Sequence, residues 1–118
     1  MVANISITDR TKKFAIRVVK ACCFLDGKQG VYRTLSKQLL RSGTSVGANV
    51  REAQSAQSNK DFINKLEIAL KEARETQYWL EILIESELVE KQKFQLLLQE
   101  ANEIGKILVS STRKLKGK

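Results

Sequence analysis

The sequence predicts an all-α fold, an antiparallel up-down-up-down four-helix bundle with residues 1–118 as one domain. Three observations carry this reading. The 118 residues contain no proline, so the strongest helix breaker is missing. Apolar residues recur three and four apart through four long segments, the period of a helix with one buried face. The breaks between segments are short, which makes consecutive helices antiparallel neighbours. A hydrophobic content of 42% is enough to fill a core without disulfides.

In chain order, Met1 to Ile7 reads as a loose arm, and Thr8 or Asp9 as the cap of the first helix. That helix runs to about Asp26 with Phe14, Val18, Cys22 and Leu25 on its apolar stripe. Arg10, Lys13, Arg17 and Lys20 form a second, basic stripe. Gly27 and Gly30 mark a loop, with Gly27 placed for the left-handed position that closes a helix.

The second helix spans roughly Val31 to Gln57, with Leu35, Leu39, Val46, Val50 and Ala53 facing inward. Arg33, Lys37 and Arg41 follow at four-residue steps as a basic ridge. Gly43 and Gly47, four apart, each weaken a helix by roughly 1 kcal/mol relative to alanine. The close approach of another helix, in the same subunit or the next, is what would offset them. A phosphate-cradling nest fits less well, because mid-helix N–H groups already have partners.

Ser58-Asn59-Lys60-Asp61 has capping-box logic and opens the third helix, Asn59 to Ser86. Its inner face is traced by Phe62, Leu66, Ala69, Leu70, Ala73, Gln77, Leu80 and Ile84. Glu67 with Lys71 and Lys71 with Glu75 are spaced to pair on the outer face. Trp79 lies beside the stripe, as a core-edge residue or, the favoured reading, an oligomer contact. Asn49, Glu52, Ser58 and Asp61 are expected to form a polar cluster at the turn rather than an acid/base pair. After Ser86 to Val89 the fourth helix runs from about Glu90 to Leu115 on Phe94, Leu97, Leu98, Ala101, Ile104, Leu108 and Leu115. The basic tail from Arg113 to Lys118 is expected to fray.

Net charge is +8 and the isoelectric point near 9.7, an excess that favours a polyanionic partner. The excess is uneven. Residues 58–86 carry four basic and six acidic residues, whereas residues 90–118 carry seven basic and three acidic. The first, second and fourth helices therefore hold the candidate RNA- or DNA-binding set: Arg10, Lys13, Arg17, Lys20, Arg33, Lys37, Arg41, Lys106, Arg113 and Lys114. Aromatic residues are sparse among them, so phosphate contacts fit better than base stacking.

The chain has no histidine, which excludes Ser-His and Cys-His catalytic pairs and HExxH zinc sites. Adjacent Cys22 and Cys23 make neither a metal site nor a ready disulfide, and free thiols point to a reducing cytoplasm. No metal, cofactor, signal peptide or membrane span is expected.

Certain motifs carry a family resemblance. They are Leu39-Leu40-Arg41-Ser42 leading into Ser45-Val46-Gly47-Ala48-Asn49-Val50, then Asp61-Phe62-Ile63 through Ile68-Ala69-Leu70-Lys71-Glu72-Ala73, and finally Glu75-Thr76 with Tyr78-Trp79-Leu80-Glu81. In this order the chain resembles the small bacterial four-helix-bundle proteins encoded in intervening sequences of large-subunit ribosomal RNA genes. The same grouping includes the accessory variability determinant of diversity-generating retroelements. The resemblance covers nearly the whole chain. It implies a ring-shaped homopentamer, no catalytic residues and, for the retroelement members, binding to a reverse transcriptase and nucleic acid. Glu87 stands where such proteins often have glycine, and Arg51 where a small or acidic residue is common. The resulting expectation is a non-enzymatic, homo-oligomeric nucleic-acid-binding protein. The alternative is a protein–protein scaffold ring with no direct nucleic-acid role.

Overall fold

The structure, a computed structural model, describes residues 6–117 as four helices: α1 (Ile7–Asp26), α2 (Val31–Ala53), α3 (Asn59–Glu85) and α4 (Lys91–Lys116). Consecutive helices pack side by side, and α1 touches α4 along a thinner seam that closes the circuit. No strand occurs among the described residues. The extents of 47 × 32 × 20 Å give an oblong cross-section, as expected when one of four seams is loose. The expected four-helix bundle is the observed one. Its axis holds Phe14, Val18, Leu39, Val46, Leu80 and Ile104, all essentially inaccessible to water.

Several local expectations are corrected. Ser6, not Thr8 or Asp9, caps α1: its hydroxyl accepts from the Asp9 N–H at 3.1 Å, and Ile7 is already helical. The remainder of the expected arm, residues 1–5, lies outside the described residues. Gly27 stays right-handed at φ −69°, and Gly30 takes the positive φ of 72°. The chain reverses there, immediately before α2, where only glycine sits without strain.

Helix α2 ends at Ala53, one turn earlier than its pattern implied. The N–H groups of Gln54, Ser55 and Ala56 reach back three residues rather than four, which tightens the helix into the turn. Ser58 caps α3 as expected, its hydroxyl accepting from the Asp61 N–H at 3.0 Å, while Asp61 accepts from the Gln57 N–H. The tail does not fray before Lys116; Lys118 lies outside the described residues.

Glu87 is the described non-glycine residue with positive φ, at 61°. The N–H of Leu88 reaches the carbonyl of Leu83 and that of Glu87 the carbonyl of Ile84, the paired bonds of a Schellman ending. The geometry at this site suits glycine, so Glu87 adopts it with local strain.

The close approach expected at Gly43 and Gly47 is within the chain, against α1. A Cβ on Gly43 would stand 2.7 Å from a Val18 methyl, and one on Gly47 would stand 3.1 Å from the Thr11 carbonyl oxygen. The Cys22 thiol donates to the Ser36 carbonyl and the Ser36 hydroxyl to the Cys22 carbonyl, both at 3.4 Å, knitting the same seam. On the other side of α2, the Thr76 hydroxyl contacts that of Ser42 at 3.0 Å and donates to the Glu72 carbonyl at 2.7 Å. Ser36, Ser42, Glu72, Thr76 and Leu83 are buried positions that apolar periodicity does not mark, or marks only in part. Among the described residues, no buried side-chain nitrogen or oxygen lacks a partner.

Candidate nucleic-acid interface

The fold sorts the predicted cations into paired and unpaired sets. Arg10 is paired: its Nε and Nη2 donate to Glu100 of α4 at 2.7 and 2.8 Å. That bond pushes the guanidinium pKa further up, against the opposing effect of burial. Arg41 is also paired, to Glu72 at 3.1 Å and to Glu75, with a further bond to Gln38. Lys13, Arg17 and Lys20 on α1 and Arg33 and Lys37 on α2 are exposed and make no ion pair among the described residues.

The expected pairs of Lys71 with Glu67 and Glu75 do not form. Glu75 faces Arg41 and Glu67 faces Lys116, because pairs between helices replace the pairs along one helix. The polar cluster expected at the α2–α3 turn is likewise divided. Asn49 donates to the Ser45 carbonyl, Glu52 meets Lys65 at 3.3 Å, and Asp61 serves the α3 cap.

Lys106, Arg113 and Lys114 come together on one face of α4. With Val109, Ser110 and Arg74 of α3 they line an open groove of about 580 Å³. Its lining carries four cations and no carboxylate. Arg74 escaped the sequence reading because its helix is net acidic. The available signal was its place one turn after Leu70 on a flank of the apolar stripe, and only the crossing with α4 gives that flank a meaning.

A second cationic groove, of about 340 Å³, follows the α1–α4 seam. Arg17, Lys20 and Lys93 surround Ala21, Phe94 and Leu97 there. Phe24 stands at its edge, 49% exposed, with the ammonium groups of Lys28 and Lys93 5.2 and 5.9 Å from its ring centroid. One aromatic ring thus sits among cations here, in a basic set where aromatics are otherwise sparse. Further along the seam Arg17 shares a groove lining with Glu100 and Glu103, so carboxylates outnumber cations there.

Trp79 lies half-buried at the core edge, its Nε1 donating to Glu75 at 3.1 Å and its ring edge-on to Tyr78. Gly43 and Gly47 face α1. Among the described residues, no three His, Cys, Asp or Glu side chains converge as a metal site requires, and no helix is long and apolar enough to cross a membrane.

The model of a family described as 23S rRNA-intervening sequence protein matches residues 3–110. The chain belongs to that family. Among solved structures, this intervening-sequence protein is similar to one from Bacteroides thetaiotaomicron VPI-5482, described as a protein of unknown function from the S23 ribosomal protein family. The two are 48% identical with a TM-score of 0.84, over 91% of this chain and 98% of that one. No curated protein matches. The intervening-sequence family expected from the Leu39 to Glu81 motifs is therefore the observed one.

Proposed function

We propose that this intervening-sequence protein is a non-enzymatic, homo-oligomeric protein that binds RNA or DNA through its phosphates. One observation carries the reading: after ion pairing, the unpaired cations gather on α1, on α2 and above all in a carboxylate-free groove of α4. Arg and Lys side chains there would release counterions from the nucleic-acid backbone without reading sequence.

Self-association is supported by apolar side chains left in solvent, with Ile16 47%, Val19 42%, Phe24 49% and Leu96 65% exposed. The pentameric ring implied by the resemblance is the form proposed, with Trp79 and Tyr78 as further candidates for its contacts. A cytoplasmic setting fits the free thiols of Cys22 and Cys23. A role beside a reverse transcriptase is the finer form of this proposal. It rests on the resemblance of the motifs to the retroelement determinant.

Titration of nuclease-treated protein with RNA and with DNA over a salt series tests the reading. Affinity should fall steeply from low to moderate salt; absent or salt-independent binding would sink it. Light scattering on the same samples should give five times the 13.3 kDa chain mass. The exposed apolar residues also favour a second reading, a scaffold ring that docks a protein. A protein partner that survives nuclease treatment, with no nucleic-acid affinity in low salt, would select it.

A further inference from the structure

We infer that the α3–α4 groove receives the backbone of a single nucleic-acid strand, and that Arg74 is its fixed phosphate fork. This rests on the nucleic-acid reading above and adds to it a location, a ligand register and a positioning device.

The register comes from α4. Lys106, Ser110, Arg113 and Lys114 fall at steps of four, seven and eight residues, so they share one face of the helix. From Lys106 to Arg113 the helix advances about 10 Å at ~1.5 Å per residue. One strand places a phosphate every ~3.4 Å of stacked axis, so that length matches roughly three steps from one phosphate to the next. The Ser110 hydroxyl lies midway along the row as a further donor.

The positioning device is Arg74. Gly105 is buried, and a Cβ there would stand 3.5 Å from Arg74 Nη1 and 3.6 Å from its Cζ. The guanidinium therefore lies directly over the α4 backbone. Its Nη1 donates to Gln77 Oε1 at 3.3 Å, and Gln77 Nε2 donates to Asn102 Oδ1 at 3.2 Å. This chain of amides anchors the head group to both helices and leaves its other N–H donors free. Arg74 has no acidic partner among the described residues. A planar cation held in place with unused donors suits a phosphate oxygen pair better than a mobile lysine does. The other cationic groove differs, because the residues lining it beside Arg17, Lys20 and Lys93 are all apolar, with no hydroxyl donor such as Ser110.

The test is fluorescence anisotropy with labelled oligo-U and oligo-dT across a salt series, on the full chain. Loss of one phosphate contact to a single strand should lower the slope of log K against log salt by about 0.7, or roughly fivefold in affinity at 0.1 M salt. Arg74→Gln should produce that loss. Gln77→Leu should weaken binding with the slope kept, because the charge stays and only its placement is lost. Lys60→Gln, which removes the same charge elsewhere on α3, should do neither. Equal effects of Arg74→Gln and Lys60→Gln, with wild-type binding intact, would overturn the assignment and spare the broader reading. No wild-type binding in low salt would overturn the broader reading itself. Backbone recognition predicts the same slope loss on oligo-dT as on oligo-U; a loss confined to RNA would replace it with 2′-hydroxyl recognition.

Discussion

Along its α2 side, α1 lies against Gly43 and Gly47, whose missing side chains let Val18 and the Thr11 carbonyl come into contact with the helix opposite. Along its α4 side, α1 is held by the Arg10–Glu100 ion pair and leaves grooves open to solvent. The first seam is dry, close and built from shape. The second is thin and built from charge, with Phe24 and Leu96 left in water beside it. The difference separates two roles. A seam of small residues fixes how α1 and α2 sit, while a loose charged seam leaves surface that a partner can use.

Replacing Gly43 by Leu should break the close seam with the largest effect. Even the first carbon of the new side chain meets Val18 at 2.7 Å, and Val18 is β-branched and fully buried. A loss of about 3 kcal/mol or more is expected in urea unfolding, and a variant as stable as the parent would contradict the packing described.

Gly47→Ala separates shape from helix propensity. Alanine should add about 1 kcal/mol of helix stability, yet its Cβ would press on the Thr11 backbone oxygen at 3.1 Å, and backbone cannot turn aside. A net loss of about 1–2 kcal/mol is expected; a net gain in melting temperature would mean that α1 shifts freely.

The charged seam should respond more weakly. Arg10→Met removes a two-pronged pair whose partners are 31% and 21% exposed, at an expected loss of about 0.5–1 kcal/mol. That loss should shrink in molar salt, since screening already weakens the pair in the parent. A loss that ignores salt would assign the effect to packing of the arginine stem.

The smallest perturbation is chemical labelling of the two thiols. Burial pushes the Cys22 thiol pKa up, only partly opposed by its bond to Ser36, and Cys22 lies in the close seam, whereas Cys23 is exposed. Thiolate is the reactive form, so a small alkylating reagent should modify Cys23 at once and Cys22 only after unfolding. Simultaneous modification would show that the α1–α2 seam opens readily.

Four amphipathic periods, the absence of proline and the Ser58 cap determined by themselves that the chain makes four helices, and where most of them begin. Those are local properties, fixed by which residues recur every turn and which can bond the first free N–H groups. The glycines announced a close approach, but only the tertiary structure named Thr11 and Val18 as what approaches. The basic stripes were legible as stripes, yet the acids that neutralise Arg10 and Arg41 lie 90 and 31 residues away in sequence. Arg74 shows the same limit from the other side. Composition assigned it to an acidic helix, and the crossing with α4 at Gly105 set it among cations. Charge pairing and groove membership depend on distances through space, which the order of residues along the chain does not contain.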